Sequence, residues 1–177
     1  IHEEREAGAL PFLDRLRTDL DPVLAEVGRR REDQWEAELA AAGFRDLAAR
    51  LPKGKRAEVT WADLALVLQA LAPGERGYAR QVAVGGTVGA FRVYGLMDFV
   101  LVRWAGARPR LLLVECKASR RDRTYHRVQV AAYRMLLRGL LAGEPVAVGV
   151  GGASVAPDAI ECVVARVDPD RNATQSI

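Results

Sequence analysis

Two carboxylates and an ammonium group occupy positions at which neighbouring strands would bring them together. Asp98 ends the segment GLMD, and Glu115 and Lys117 lie in the segment VECK, which follows an aliphatic run. The spacing between the two acids leaves room for two short strands and a tight turn, so Asp98 and Glu115 can lie side by side on a hairpin. Glu115 and Lys117 are two residues apart on one strand and therefore face the same side. The three groups are expected to converge on one patch.

Such a patch has the chemistry of a hard divalent cation site. Mg²⁺ prefers oxygen ligands and is usually held by one or two carboxylates together with waters and a substrate phosphate. The backbone carbonyl of Cys116 is placed to add a third oxygen ligand. A lysine beside the pair can hold an attacking water or stabilise charge on a phosphate. The pattern indicates phosphodiester hydrolysis. The alternative is a cross-strand salt bridge, because Glu-x-Lys is a common sequence.

A third motif lies on the helix that follows. Gln129 and Tyr133 in QVAAY are four residues apart and share one helix face. Taken in order, GLMD, VECK and QVAAY resemble the motifs of the PD-(D/E)XK nuclease superfamily, specifically its RecB-like branch. That branch includes the nuclease domains of bacterial recombination helicases and the CRISPR-associated RecB-like exonucleases. The resemblance covers residues 95–133 and implies a restriction-endonuclease-like core in the order α-β-β-β-α-β.

The resemblance also implies an activity and a division of roles. It predicts a metal-dependent deoxyribonuclease that acts on single-stranded DNA or DNA ends in repair, recombination or defence. Asp98 and Glu115 would bind Mg²⁺ or Mn²⁺, and Lys117 would position the attacking water. Gln129 and Tyr133 would orient the DNA and the lysine. The competing hypothesis is a catalytically inactive nucleic-acid-binding or scaffold domain that keeps the nuclease fold.

The RecB-like branch has a further motif on an upstream helix, and this chain matches it in part. The segment GRRREDQWEAELAAAG, residues 28–43, supplies the matching residues Glu32, Trp35, Leu39 and Gly43. Arg31 stands where the branch has a metal-binding histidine, and an arginine cannot ligate a cation. Either Glu32, the residue assigned to the metal, or Glu36 is therefore expected to complete the metal site, or the site is weakened. A solvated helix face is the other interpretation of Glu32.

Basic residues cluster beside the predicted site. Phosphate contacts from arginines give nucleic-acid binding that depends strongly on salt and little on sequence. The alternative is a solvated helix face in an arginine-rich chain. The predicted nucleic-acid-binding residues are Arg31, Arg120, Arg121, Arg123, Arg127, Gln129 and Tyr133.

The elements that must position these residues follow from periodicity and from turn residues. The helical period and the Asp21-Pro22 start predict a helix over 23–42, and Thr60 with Asp63 predicts a capped second helix. Strands are predicted at 78–84 and 88–94 around a turn at Gly85-Gly86, then up to 104, and at 111–116, 146–150 and 160–167. A helix from residue 122 separates the last two strands from the others. The pattern predicts an α/β fold with a mixed sheet and helices on its faces.

Length fits one compact domain. The chain has 177 residues. We expect residues 1–77 to form N-terminal helices carrying the Glu32 motif, packed on a nuclease core in residues 78–177. The chain starts at Ile1 and ends in a polar segment, which favours a fragment of a larger protein or complex.

Composition limits the partners and the compartment. A net charge of +3 permits a polyanionic partner such as DNA without requiring one. No apolar run approaches the roughly 18 residues needed to span a membrane. The two cysteines, Cys116 and Cys162, have no metal-type spacing. They fit the RecB-like members that lack a four-cysteine iron–sulfur cluster, and the cytoplasm is the expected compartment.

Overall fold

The computed structural model describes residues 22–55, 58–117 and 124–166. This part of the chain has an α/β fold in which helices cover both faces of a mixed β-sheet. The α-helices are α1 (Pro22–Ala41), α2 (Trp61–Gln69) and α3 (Thr124–Gly143). Two short 3-10 helices, Ala48–Arg50 and Lys53–Lys55, lie between α1 and α2. None of the helices described is long and apolar enough to cross a membrane.

Six of the eight strands described form the main sheet. The strands are β1 (Arg45–Asp46), β2 (Val59–Thr60), β3 (Gly77–Val88), β4 (Phe91–Ala105), β5 (Arg108–Lys117), β6 (Ala147–Val148), β7 (Ala153–Ser154) and β8 (Ile160–Arg166). The order of the main sheet is β1-β3-β4-β5-β8, and β2 also pairs with β3. Strands β3, β4 and β5 form an antiparallel meander, whereas β8 pairs with β5 in parallel after the α3 crossover. Strands β1 and β2 also pair in parallel with β3, so the chain before residue 78 contributes to the same sheet.

The two faces of the sheet carry separate cores. On one face, Leu39 and Trp35 of α1 pack against the group formed by Tyr78, Phe99, Leu101 and Val114. On the other face, α2 and α3 cover a larger core with Leu64, Leu68, Leu136 and Leu137 among its buried residues. Helix α1 and helix α3 therefore approach the meander from opposite sides.

Local signals set the helix ends as the sequence predicted. The Thr60 hydroxyl accepts a hydrogen bond from the backbone N–H of Asp63, and the Asp63 carboxylate accepts one from the backbone N–H of Thr60. This capping box fixes the start of α2. Gly43 adopts a φ of +82° just after α1, where a glycine ends a helix at little steric cost.

The predicted turn at Gly85-Gly86 is wrong. Strand β3 runs through both glycines to Val88, and the reversal occurs at Gly89 and Ala90. Gly89 has the positive φ of +60° that a tight hairpin turn needs, and Val88 pairs with Phe91 across it. Gly85 and Gly86 are ladder positions.

The segment 146–150 was predicted as one buried strand and contributes only β6. β6 pairs with β7, and these two strands form a small sheet separate from the main one. Gly149 ends β6 with a φ of +76°. The parallel partner of β5 across the helical crossover is therefore β8.

Candidate active site at the open end of the central hairpin

Asp98 and Glu115 lie where two neighbouring strands stop pairing. The antiparallel register of β4 and β5 ends at Phe99 opposite Val114, and Asp98 and Glu115 are the next residues along the two strands. Asp98 Oδ2 accepts a hydrogen bond from the backbone N–H of Cys116 at 2.7 Å. This contact replaces a ladder bond and holds the Asp98 carboxylate beside β5.

Glu115 is a charged side chain in an almost fully buried position, with 2% of its surface exposed. A buried carboxylate needs partners. Glu115 Oε1 forms an ion pair with Lys117 Nζ at 2.5 Å, and the Gln129 side chain on α3 donates a hydrogen bond to the same carboxylate. The expected pairing of Glu115 with Lys117 on one face of β5 is present, and α3 adds the third group.

Tyr133 joins α3 to β4 at the edge of the site. Its hydroxyl donates to the backbone carbonyl of Leu96 at 3.1 Å and accepts from Gln129 Nε2 at 3.1 Å. The Tyr133 ring lies on Gly95, where a Cβ would overlap the ring and come within 2.7 Å of the hydroxyl oxygen. The glycine of GLMD is thus the residue that lets Tyr133 approach the strand. In this arrangement Tyr133 orients Gln129, and Gln129 orients Glu115.

Burial is the main cause of the altered pKa values in this cluster. Burial and the neighbouring Glu115 carboxylate raise the pKa of Asp98 to about 7, against the effects of Cys116 and Lys117. Burial also raises the pKa of Glu115, although Lys117 opposes the shift. Burial acts to lower the pKa of Lys117, but the charge of Glu115, its hydrogen bond with the lysine and the charge of Asp98 together outweigh burial, and the pKa is raised. Two adjacent carboxylates that resist ionisation form a site whose charge a cation would balance.

Glu32 approaches this cluster from α1. Its Oε2 accepts hydrogen bonds from Arg80 Nε at 3.1 Å and from Gln81 Nε2 at 2.9 Å. Its charge adds to the upward pKa shifts of Asp98 and Glu115, so the three carboxylates act on one another. Helix α1 brings the predicted upstream acid to the same region as the motifs of β4 and β5.

The alternative ligand Glu36 is engaged elsewhere. It accepts hydrogen bonds from the Tyr78 hydroxyl at 3.1 Å and from Arg80 at 3.0 Å. Arg31 donates to Gln34 along the same helix at 2.7 Å. Of the two acids considered upstream, Glu32 is the one whose charge acts on both Asp98 and Glu115.

Arg80 and Gln81 hold Glu32 in place and were missed in the sequence. The only local signal was a cationic and a polar residue inside the otherwise apolar segment YARQVAV. Both residues act on a side chain more than forty positions earlier in the chain. Periodicity along a strand carries no information about such a contact.

The basic residues are only partly described. Arg120, Arg121 and Arg123 lie outside the described residues. Arg127 is exposed near the start of α3, and with Arg134 it lines a cleft of about 510 Å³ between α3 and β8. The predicted cationic surface is thus represented here by one side of α3.

The oxygen donors suit a hard cation, but they do not form a ready-made cage. Across residues 22–55, 58–117 and 124–166, no three His, Cys, Asp or Glu side chains lie close enough together to hold a metal ion. Asp98 and Glu115 provide two adjacent carboxylates, which is the number that Mg²⁺ commonly takes from a protein. Cys116 lies opposite Ala165 in the pairing of β5 with β8, and its carbonyl remains a predicted ligand.

Comparisons with known proteins add nothing to the functional assignment of this chain. No protein-family model, no curated protein and no solved structure matches the chain.

Proposed function

We propose that this protein is a metal-dependent DNA nuclease with a PD-(D/E)XK core of RecB-like type. The observation that supports the proposal most is the juxtaposition of the buried Glu115 with the partly buried Asp98 and Lys117 at the open end of the β4–β5 pairing. A salt bridge for stability alone has no need of a second carboxylate in a buried place, because each buried charge carries a desolvation cost. Phosphodiester hydrolysis accounts for all three groups.

Asp98 and Glu115 are the residues that would hold Mg²⁺ or Mn²⁺. When bound, the cation would supply positive charge to the scissile phosphate and acidify a water. Lys117 keeps its proton at neutral pH because its pKa is raised. It therefore acts as a charged hydrogen-bond donor to the water or to a phosphate oxygen, and a general base must be found elsewhere. Gln129 fixes the orientation of the Glu115 carboxylate.

The order of elements along the chain supports the same proposal. Helix α1 with Glu32, the β3–β4–β5 meander, helix α3 and strand β8 occur in the order α-β-β-β-α-β, with α2 and four two-residue strands inserted between them. Single-stranded DNA or DNA ends are the substrates that the motif resemblance favours. Repair, recombination or defence would be the setting, with DNA as the partner.

The test is metal-dependent cleavage of end-labelled single- and double-stranded DNA. We expect cleavage with Mn²⁺ or Mg²⁺ and none with EDTA. Glu115→Gln and Lys117→Ala should each lower the rate by about 100-fold or more, since each removes a charged group at the reacting centre. Cleavage that persists in both variants, or that persists in EDTA, would refute the nuclease assignment.

Two matched variants control for changes in charge alone. Glu26→Gln removes a carboxylate that pairs with Arg29 and Arg30 on the exposed side of α1. Lys55→Ala removes a lysine that pairs with Asp63 at the start of α2. Both should cleave at the wild-type rate. Circular dichroism of all four variants separates a lost active site from a lost fold.

A scaffold function has its own supporting observation. Glu115 is paired with Lys117, and Glu32 with Arg80 and Gln81, so two of the three acids are already neutralised or hydrogen-bonded by the protein. A domain that only binds nucleic acid would keep these pairs. Calorimetric titration with Mn²⁺ distinguishes the two functions: the nuclease must bind the ion at Asp98 and Glu115, and the scaffold shows no heat of binding that Asp98→Asn abolishes.

A further inference from the structure

Gln81 has an unusual backbone for its residue type. Its φ is +53°, and no other non-glycine residue in the described part of the chain has a positive φ. A side chain in this left-handed region is sterically disfavoured, and such residues persist only where surrounding contacts hold them. Specific contacts must therefore hold the Gln81 backbone in this conformation within β3.

The unusual backbone lies directly across from Asp98. Strands β3 and β4 pair Arg80 with Phe99 and Val82 with Met97, so the unbroken register places Gln81 opposite Asp98. The pairing omits only this position. The left-handed residue of β3 and the predicted metal ligand of β4 thus share one rung of the sheet.

At the same rung, the alternation of side chains between the two faces of the sheet is shifted by one residue in both strands. Ala79 and Val82 belong to the same core although they are three residues apart, and so do Met97 and Val100. In a regular strand only alternate residues share a face. The change at Gln81 and Asp98 allows these two side chains to leave the regular alternation and to reach residues off the strand.

The Gln81 side chain uses this freedom to hold Glu32. Its Nε2 donates to Glu32 Oε2 at 2.9 Å, the same oxygen that Arg80 contacts. The Glu32 side chain is only 16% exposed. Arg80 offsets the charge of Glu32, whereas a neutral amide fixes the carboxylate and leaves its charge unchanged. A cation beside Asp98 benefits from the second kind of anchor.

We infer that Gln81 is a positioning residue that uses its left-handed backbone to hold the Glu32 carboxylate at the rung of the sheet that carries Asp98. This inference rests on the proposed nuclease site for its purpose. The anchor itself is a contact within the protein and can be measured without metal or DNA. Its failure is therefore distinguishable from failure of the proposed function.

A double-mutant cycle measures the anchor. Gln81→Ala keeps the disfavoured backbone and removes the amide, and Glu32→Gln removes the carboxylate charge. In metal-free urea denaturation the product of the two single effects on the unfolding constant should exceed the effect of the double variant by roughly 10- to 100-fold, as for a hydrogen bond to a charged group. A control cycle with Asp33→Asn, which removes a partner of Arg80 alone, should show independent effects. Equal coupling in both cycles, or none in the first, would overturn the anchor.

Two substitutions at the same position separate backbone from side chain. Gly tolerates a positive φ and Ala does not, so Gln81→Gly should unfold at a higher urea concentration than Gln81→Ala. Both lack the amide, so both should weaken Mn²⁺ binding to the same extent, by roughly 10- to 100-fold as for other residues that orient metal ligands.

The outcomes assign failure to one proposal or the other. If the cycle shows coupling and Gln81→Ala binds Mn²⁺ as the wild type does, the positioning role is wrong and the nuclease site stands. If the wild type binds no Mn²⁺ and cleaves no DNA, the proposed function is wrong, and the cycle still decides whether Gln81 anchors Glu32.

Discussion

Gly95 decides how closely α3 can approach the strand that carries Asp98. The Tyr133 ring occupies the space of a Cβ at this position, and its hydroxyl reaches past the glycine to the Leu96 carbonyl. The same hydroxyl accepts a hydrogen bond from the Gln129 amide, and Gln129 in turn donates a hydrogen bond to Glu115. The absence of one side chain thus controls the orientation of a buried carboxylate on another strand.

Gly95→Ala should therefore destabilise the protein. The added methyl group forces Tyr133 off β4, and overpacking of this kind typically costs about 1–3 kcal/mol. Urea denaturation checks the loss. Gly139→Ala is the control, since nothing lies within 4 Å of a Cβ there, and it should be neutral or stabilising by up to about 1 kcal/mol in a helix. Equal stability of Gly95→Ala and the wild type would show that the ring can move freely.

Asp98 makes the stability of the metal-free protein depend on pH. Its pKa is raised from 3.8 to about 7 in the folded state, so the folded protein holds a proton that the unfolded chain releases. The contribution of Asp98 to stability is then greatest at low pH and is lost as the pH rises through the interval between these two values. We expect the denaturant concentration at the midpoint of unfolding to decrease as the pH is raised from 5 to 8. Asp98→Asn should make this midpoint depend less on pH. A profile that the substitution leaves unchanged would rule out Asp98 as the titrating group.

Helix α1 is held to the sheet by a cluster of charges as well as by its apolar face. Arg80 contacts three acids of α1, which are Glu32, Asp33 and Glu36. The Arg80 side chain is 25% exposed and that of Glu32 16%, so water screens this pair less than it screens an ordinary surface pair. Without the positive charge of Arg80, the three carboxylates would repel one another. The ion pairs of Arg80 with these acids therefore fix the position of α1 on the sheet.

Arg80→Met should loosen α1. The substitution keeps the apolar stem and removes the charge that three carboxylates share, and we expect a loss of about 2–4 kcal/mol, in the range for a partly buried charge left unpaired. Urea unfolding, followed by tryptophan fluorescence because Trp35 lies on α1, measures it. Arg29→Ala is the control, since Arg29 pairs with Glu26 on the exposed side and should cost less than about 0.5 kcal/mol. Similar losses in both variants would contradict the argument.

Element by element, the sequence predicted what local chemistry determines. The Thr60 cap, the end of α1 before Gly43 and the strand over 111–116 are determined by neighbouring residues, and the structure has them. The hairpin turn was misplaced because Gly85 and Gly86 look like a turn, whereas Gly89 is the glycine with a positive φ. Contacts between distant segments leave no local pattern.

The candidate site divides in the same way. The spacing of Asp98, Glu115 and Lys117 follows from strand geometry, and these residues meet as expected. The hydrogen bonds from Arg80 and Gln81 to Glu32 join residues on two separate elements. The left-handed backbone of Gln81 cannot be recognised from its residue type. Sequence reasoning could place the acids but could not identify what holds them.

At the scale of the whole molecule, the sheet brings two helices to one opening from opposite faces. Helix α1 approaches with Glu32 and helix α3 with Gln129 and Tyr133, while β4 and β5 separate between them. A strand that packs on both faces cannot expose a polar group along most of its length. Where the β4–β5 pairing ends, a partly exposed charged cluster can lie beside strands that are otherwise buried.

The exposed arginines of α3 should set the affinity for DNA if the proposed function is correct. Arg127 and Arg134 line the cleft beside β8, within reach of a backbone that enters the site along α3. Each phosphate contact releases condensed counterions, so log affinity falls linearly with log salt. We expect Arg127→Ala and Arg134→Ala each to weaken binding of a single-stranded oligonucleotide several-fold and to lower the salt slope by about 0.7. Fluorescence anisotropy in EDTA at several salt concentrations measures both quantities without cleavage. Arg108→Ala is the matched control, because Arg108 begins β5 at the end opposite to Glu115 and should leave affinity and slope unchanged. An Arg108→Ala effect as large as the other two would mean that DNA binds this protein through its overall charge and that α3 does not form a defined path.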